Sequence, residues 1–291
     1  MAADAGDVAE FEAHRRRLFG LAYRMLGSAA EAEDVVQDAY LRWRDAAPDH
    51  PTAWLTKVVT NLCRTRLTSS RATRETYIGP WLPEPVAAAA LGPLETAEQR
   101  ESVSIAFLVM LERLTPAERA VVVLREAFSY GYREIAGLLD LTEANCRQLY
   151  GRASRRLHDR PRFADPDLAR WKEIVARFIA AAQEGDLAGL EKVLAEDVVA
   201  WTDGGGALPA ARKPVEGRAK VARWASRIVT KFGAGYAYAL GEVNGQPAII
   251  ATLGGRVAAV VVIDLDGDLV ARAWTMVNPA KLSQLGPVAS L

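Results

Sequence analysis

Residues 115–157 read TPAERAVVVLREAFSYGYREIAGLLDLTEANCRQLYGRASRRL. Thr115 is a helix N-cap, Pro116 suits the first helical position, and Glu118 completes a capping box. The helix that follows carries Val121, Val122, Leu124 and Phe128. A second helical run, YREIAGLL at 132–139, breaks at Asp140-Leu141-Thr142. A third opens at Glu143 with Thr142 as its cap. Two helices joined by so tight a turn predict a helix-turn-helix. Asp140 stands at a turn position where glycine is common, so the turn is expected to be strained or slightly different.

The last helix sorts its faces. Cys146, Leu149, Tyr150, Ala153 and Leu157 fall on one side, and Asn145, Gln148, Arg152, Arg155 and Arg156 on the other. From Ala144 to Arg162 there are six arginines (147, 152, 155, 156, 160, 162) against one acid, Asp159. A helix entering the major groove needs polar groups at its N-terminus for base edges and cations for phosphates. This helix offers both, with Asn145, Arg147 and Gln148 early and Arg152, Arg155 and Arg156 later. The alternative is a solvated face on an ordinary bundle.

Upstream, residues 8–68 keep helical periodicity: Phe11, Leu18, Ala22 and Met25, a break at Gly27-Ser28, then Val35, Val36, Ala39, Tyr40 and Trp43. Glu31, Glu33 and Asp34 sit in the first turns of that second helix, where the macrodipole favours acids. Pro48 and Pro51 end it, and a third helix is expected from about Thr52 through Leu62. Residues 69–94 change texture. GPWLPEP at 79–85 and Gly92-Pro93 exclude a regular helix, so this is read as a linker. Trp81 and Leu82, next to Pro83, have no core of their own there, so something is expected to cover them. Helices resume over 95–162.

From 166 to 291 the period changes. Helices are expected at about 168–183, 186–195 and 217–231, with strands at 197–202, 235–243, 248–253, 257–264 and 269–277. Asn244-Gly245, Gly254-Gly255 and Asp266-Gly267 are turn signals between them. Helices packed on one curved antiparallel sheet are predicted.

Lysine plus arginine equal aspartate plus glutamate at 36 each, so a nucleic-acid partner must be met by a local patch. Cys63 and Cys146 lie in apolar helical patterns and read as small buried hydrophobes. With three scattered histidines they make no metal site, and no cofactor is expected. Neither a signal peptide nor an apolar run near the roughly 20 residues of a membrane span is present, which predicts a cytoplasmic protein without a membrane partner.

FGLAYRMLGSAAEAEDVVQDAYLRW at 19–43 resembles region 2 of the sigma-70 family, and LERLTPAERAVVVLRE with YREIAGLLDLTEANCRQLYGRASRRL resembles region 4. The resemblance implies an extracytoplasmic-function (ECF) sigma factor that binds core RNA polymerase and directs promoter-specific initiation. Asp34, Val35, Val36 and Gln37 would meet the clamp helices of the largest polymerase subunit, and the polymerase flap would be a further contact. Trp54, Lys57, Asn61, Arg64 and Arg66 would contact and open the minus-ten element, although core packing is the competing role for Trp54. Relatives usually have leucine and aspartate where Arg64 and Thr65 stand. Region 4 would read the minus-thirty-five element.

The remainder resembles the subgroup with a SnoaL-like C-terminal extension. WLPEP at 81–85 matches its linker motif. Asp203-Gly204-Gly205-Gly206 matches its glycine motif, with Ala207 for the usual lysine. Asn278-Pro279-Ala280-Lys281-Leu282 matches its terminal motif, with alanine for aspartate. The fold class implied is two all-α sigma domains plus an α+β cone, the extension acting as regulator. WLPEP is expected to dock near Asp203–Gly206 or near Asn278–Leu282. Residues 164–291 contain no histidine, which argues against an enzyme. Asp203, with Tyr236 and Tyr238, is the remaining acid–base candidate, against capping of the glycine turn. A small ligand of this domain is left open. Competing readings are a ligand-sensing helix-turn-helix repressor and a SnoaL-type enzyme fused to a DNA-binding module.

Overall fold

In the computed structural model the structure describes residues 2–46, 48–91, 97–157, 167–208, 210–283 and 285. Gly92-Pro93, Arg160, Arg162 and the boundary expected at 162–166 lie outside them. The chain divides into two units, one of residues 1–76 and 86–163 and the other of 77–85 and 164–291.

The helical unit starts with α1 (Ala2–Leu26), α2 (Ala29–Arg44) and α3 (Pro51–Glu75). Gly27 takes φ 68° to end α1, and the Ser28 side chain accepts from the Glu31 amide to begin α2. Along α2 the residues Ala32, Val35, Val36, Ala39 and Trp43 are buried, the spacing of one helical face. α3 runs through Glu75, so the expected linker start at 69 is corrected. Residues 69–75 contain no proline or glycine to stop a helix.

Short helices α4 (Ala97–Glu101) and α5 (Ile105–Leu111) precede the helix-turn-helix. α6 (Pro116–Val122) has the capping box of Thr115 and Glu118 and runs into a π-helical turn at Val123–Ala127. α7 (Tyr132–Leu139) ends at Asp140, which is left-handed at φ 55°, ψ 46°. α8 (Glu143–Arg156) starts at the Thr142 cap. One buried cluster runs from Phe11 to Leu157. The two all-α segments therefore share a core, and polar ties join them. Arg119 donates to the Met25 carbonyl at 2.9 Å, Arg24 donates to Ser102 at 2.9 Å, and Arg17 reaches both Thr56 and the Tyr130 hydroxyl.

The second unit packs α9 (Leu168–Glu184), α10 (Leu187–Val193) and α11 (Arg218–Phe232) against a sheet ordered β2-β1-β6-β5-β4-β3. Its strands are β1 (Leu194–Asp203), β2 (Val215–Glu216), β3 (Tyr236–Val243), β4 (Gln246–Leu253), β5 (Arg256–Asp266) and β6 (Leu269–Met276). A last turn of helix, α12, spans Pro279–Leu282. The sheet is mixed, which corrects the antiparallel expectation: β1 pairs with β6 in parallel. No hairpin joins these two strands, so turn chemistry leaves their direction free, whereas Asn244-Gly245 and Gly254-Gly255 force antiparallel pairing elsewhere.

Candidate nucleic-acid interface and the seat of the linker

On α8, Cys146, Leu149, Ala153 and Leu157 are buried and Tyr150 half-buried, while Gln148, Arg147, Arg152, Arg155 and Arg156 are exposed and Asn145 partly so. The arginines are not equivalent. Arg156 pairs with Glu118 at 2.7 Å, and Arg152 lies 3.6 Å from the same carboxylate, which is 2% exposed. Arg147 pairs with Glu143 at 2.5 Å and sits over the Tyr132 ring. Among the described residues Arg155 donates only along its own helix, to the Gly151 carbonyl. Arg155 is thus the readiest cation of the later turns for a phosphate, and Arg156 also serves the fold.

In the N-terminal segment Asp34 and Gln37 are exposed, but Val35 and Val36 are fully buried. Their side chains belong to the α1–α2–α3 core, because the helical period turns them inward. Contact through these two side chains is corrected to a supporting role. Asp34 pairs with Arg66 at 3.2 Å, and Asp38 holds the same guanidinium at 3.1 Å. Trp54 is half-buried, edge-on to Trp43. Asn61 accepts from Arg64 at 3.4 Å. Lys57 reaches across to the turn of the helix-turn-helix, pairing with Asp140 at 2.6 Å. Cys63 is fully buried, and burial pushes its thiol pKa up, as befits a hydrophobe.

The linker is not free. Residues 77–85 belong to the second unit, and their seat is built around one carboxylate. Asp203, at the end of β1, is fully buried. It accepts from the Tyr77 hydroxyl at 2.5 Å, the Leu82 amide at 2.8 Å, the Gly205 amide at 3.1 Å and Lys281 Nζ at 2.7 Å. Lys281 also donates to the Leu82 carbonyl and lies 4.1 Å from the centre of the Trp81 ring and 5.2 Å from that of Tyr77. Leu82 is 1% exposed and Trp81 half-buried; Pro83 and Glu84 are buried beside them.

Local sequence explains the seat. Asn278 caps α12 through the Ala280 amide, and its Nδ2 donates to the Tyr77 hydroxyl. A Cβ on Gly205, at φ 60°, would lie 2.3 Å from that Asn278 nitrogen, so only glycine fits. Gly206 likewise makes room for Ile78 of the linker. Motifs at 81–85, 203–206 and 278–282 therefore converge on one cluster. Tyr77 was not legible as part of it, because it precedes the WLPEP motif and carries no local signal. Burial first, then the Asp203 carboxylate, raises its phenol above the usual range.

Two segments match known domains: residues 11–73 match sigma-70 region 2, and residues 104–157 match sigma-70 region 4. The chain is 39% identical to the ECF RNA polymerase sigma factor SigJ of Mycobacterium tuberculosis, over 95% of this chain and 93% of that protein. It is 30% identical to a probable ECF sigma factor, SigI, of the same species, over 95% of both chains. This chain belongs to the ECF sigma factors. The crystal structure of M. tuberculosis SigJ superposes with a TM-score of 0.75 at 35% identity, covering 96% of this chain and 99% of that one.

Two all-α sigma regions followed by an α+β unit are therefore borne out for this sigma factor. Asp203 does not serve as an open acid–base group, since linker and backbone donors and Lys281 occupy its oxygens. Among the described residues no cluster of three or more His, Cys, Asp or Glu side chains could hold a metal, and no helix is long and apolar enough to cross a membrane.

Proposed function

We propose that this sigma factor is held in a restrained state by its own C-terminal unit, which grips the connection between regions 2 and 4. The observation that carries this is the seating of residues 77–85 on Asp203 and Lys281. Residues 77–85 follow α3 and precede the region 4 helices, so a gripped connection limits how far the two regions can separate. The tether supplies an effective concentration of about millimolar order, so a modest seat stays filled. Within the helical unit, the Lys57–Asp140 pair and the shared core favour the same closed arrangement.

When the regions part, Asp34 and Gln37 are the exposed groups that would meet the polymerase clamp helices. Trp54, Lys57, Asn61, Arg64 and Arg66 would face the minus-ten element. Asn145, Arg147 and Gln148 would read upstream bases, with Arg152, Arg155 and Arg156 on phosphates. The flap of the polymerase would hold region 4. The protein acts in the cytoplasm, and its C-terminal unit regulates without catalysis.

The test compares full-length protein, Trp81→Ala and a truncation after Asp165 in transcription with core polymerase, together with protease access to the linker. Both variants are expected to transcribe more and to be cut faster. Linker cleavage as slow in both variants as in the full-length protein would sink the proposal.

A further inference from the structure

Half of the large apolar side chains that stand exposed among the described residues, four of eight, gather at one end of the C-terminal unit. They are Ile78, Leu208, Phe232 and Leu253, each between 41% and 54% exposed. Strand register and turn geometry bring them together. β3 begins at Tyr236, which pairs with Leu253 at the end of β4, and Leu253 pairs with Arg256 at the start of β5. Phe232 ends α11 just before this point, and the Tyr236 amide donates to the Gly233 carbonyl. Phe232, Tyr236 and Leu208 line one cavity, of about 260 Å³, between the sheet and α11. From Leu208 the patch continues to Ile78 of the linker, which fits against Gly206. The Gly254-Gly255 turn beside Leu253 stands clear, since a Cβ on either glycine would meet nothing within 4 Å.

The rim of this patch is basic. Arg212 lies beside Gly79 and is followed by Lys213. Lys231 holds its ammonium 5.2 Å from the centre of the Phe232 ring, and Arg256 faces Leu253 across the hairpin. All four cations are exposed, and none forms an ion pair among the described residues. The stretches that build this end, residues 204–215, 227–238 and 251–258, contain no aspartate or glutamate. Cations continue along α11, so that residues 212–231 hold seven lysines and arginines against one acid, Glu216, in a chain whose totals are equal.

Charge decides what kind of partner covers the apolar side chains. A second copy of the chain would set this cationic rim against its own like. Duplex DNA would pair with the cations but leave four apolar side chains facing a polar surface. An anionic lipid surface meets both needs, because its headgroups attract the cations and its acyl boundary accepts the apolar groups.

We infer that this end of the C-terminal unit docks on the surface of a bilayer containing anionic lipid. Ile78, Leu208, Phe232 and Leu253 enter the boundary between headgroups and acyl chains, and the four cations meet lipid phosphates. No helix among the described residues is long and apolar enough to cross a membrane, so the attachment is to the surface. The expectation of no membrane partner rested on the missing span, and surface docking needs none. The site stands independently of the restraint proposed above.

The test is flotation of the full chain with vesicles of phosphatidylcholine alone and of phosphatidylcholine with an equal part of phosphatidylglycerol. The protein should float with the anionic vesicles and not with the neutral ones. Each cation near an anionic surface contributes about fivefold in affinity, so Lys213→Gln with Arg256→Gln should weaken binding about 25-fold. That double variant should also show a shallower dependence on salt. Leu253→Ser should weaken binding roughly tenfold at every salt concentration, by removing apolar area from the contact. Transcription without vesicles should be unchanged in both, which separates lost docking from misfolding. No flotation with anionic vesicles, equal flotation with neutral ones, or flotation indifferent to Leu253→Ser overturns the proposal. A dimer in sedimentation equilibrium that Leu253→Ser dissolves also overturns it, and assigns the patch to self-association. Weaker binding of duplex DNA by the double variant, with flotation intact, would assign the surface to nucleic acid instead.

Discussion

Two lysine–aspartate pairs join distant parts of this chain, and they are different devices. Lys281 and Asp203 meet at 2.7 Å with side chains 8% and 0% exposed. Lys57 and Asp140 meet at 2.6 Å with side chains 39% and 70% exposed. Nearly equal distances conceal unequal energies. In the first pair both charges have left water, so each depends on the other and on the added donors around Asp203. In the second, water solvates either partner when the pair opens. The linker seat is therefore built to stay closed, and the Lys57–Asp140 pair to open readily, within a helical unit that a shared core also holds together.

The largest expected effect breaks the buried pair from one side. Lys281→Met leaves Asp203 buried with one charge uncompensated, and should cost about 3–5 kcal/mol in the stability of the C-terminal unit. Adding Asp203→Asn should recover most of that loss, because no lone charge remains. Chemical denaturation followed by intrinsic fluorescence reads both. A double variant as unstable as Lys281→Met would show that the cluster depends on shape and not on charge balance.

Much of this arrangement was legible in the sequence, for a physical reason. Helix caps and glycine turns are local, so Thr115–Glu118, Thr142 and Asn244-Gly245 announce themselves. The α8 face pattern and five of the six strands followed from periodicity. β2 has two residues and carries no period. The parallel pairing of β1 with β6 depends on strands far apart in the chain. The apolar linker residues Trp81 and Leu82 signalled a missing cover, and three motifs named the seat. The loss of Val35 and Val36 from the polymerase-facing surface was also readable, since the same periodicity placed them inward. What no local pattern encodes is the cavity, or that Arg156 is bound to Glu118.

A third carboxylate sharpens the comparison, because it is half-buried and forms no ion pair among the described residues. Asp264 on β5 has its pKa pushed up to about 6, by burial first, against the opposing pull of Arg272 and a 3.4 Å contact from Gln246. The fold thus prefers the protonated acid. Its contribution is fully present below the unfolded pKa of 3.8 and is lost as pH rises through about 6. Asp264→Asn should remove that loss and raise stability at pH 7–8 by about 1–2 kcal/mol, discounted because the side chain is partly exposed. Unfolding series at pH 4 and pH 7.5 check it: a gain of equal size at both values would reject the titration argument.

The smallest effect on stability belongs to the exposed pair, and there the two halves should act oppositely on function. Lys57→Ala should cost less than about 1 kcal/mol at low salt, and the cost should vanish near 1 M salt. Asp140→Asn should be similarly mild, since asparagine tolerates the left-handed backbone that Asp140 adopts at φ 55°. If the pair merely braces the fold, the two variants should change transcription alike. Lys57 is proposed as a promoter contact, however, and Asp140 is the group that occupies it in the closed arrangement. Asp140→Asn should therefore raise promoter affinity and transcription by freeing the lysine. Lys57→Ala should lower both by removing the contact, with a shallower dependence on salt. Transcription from one promoter across a salt series compares them directly. A change of the same sign in both variants would make the pair a brace and not a latch.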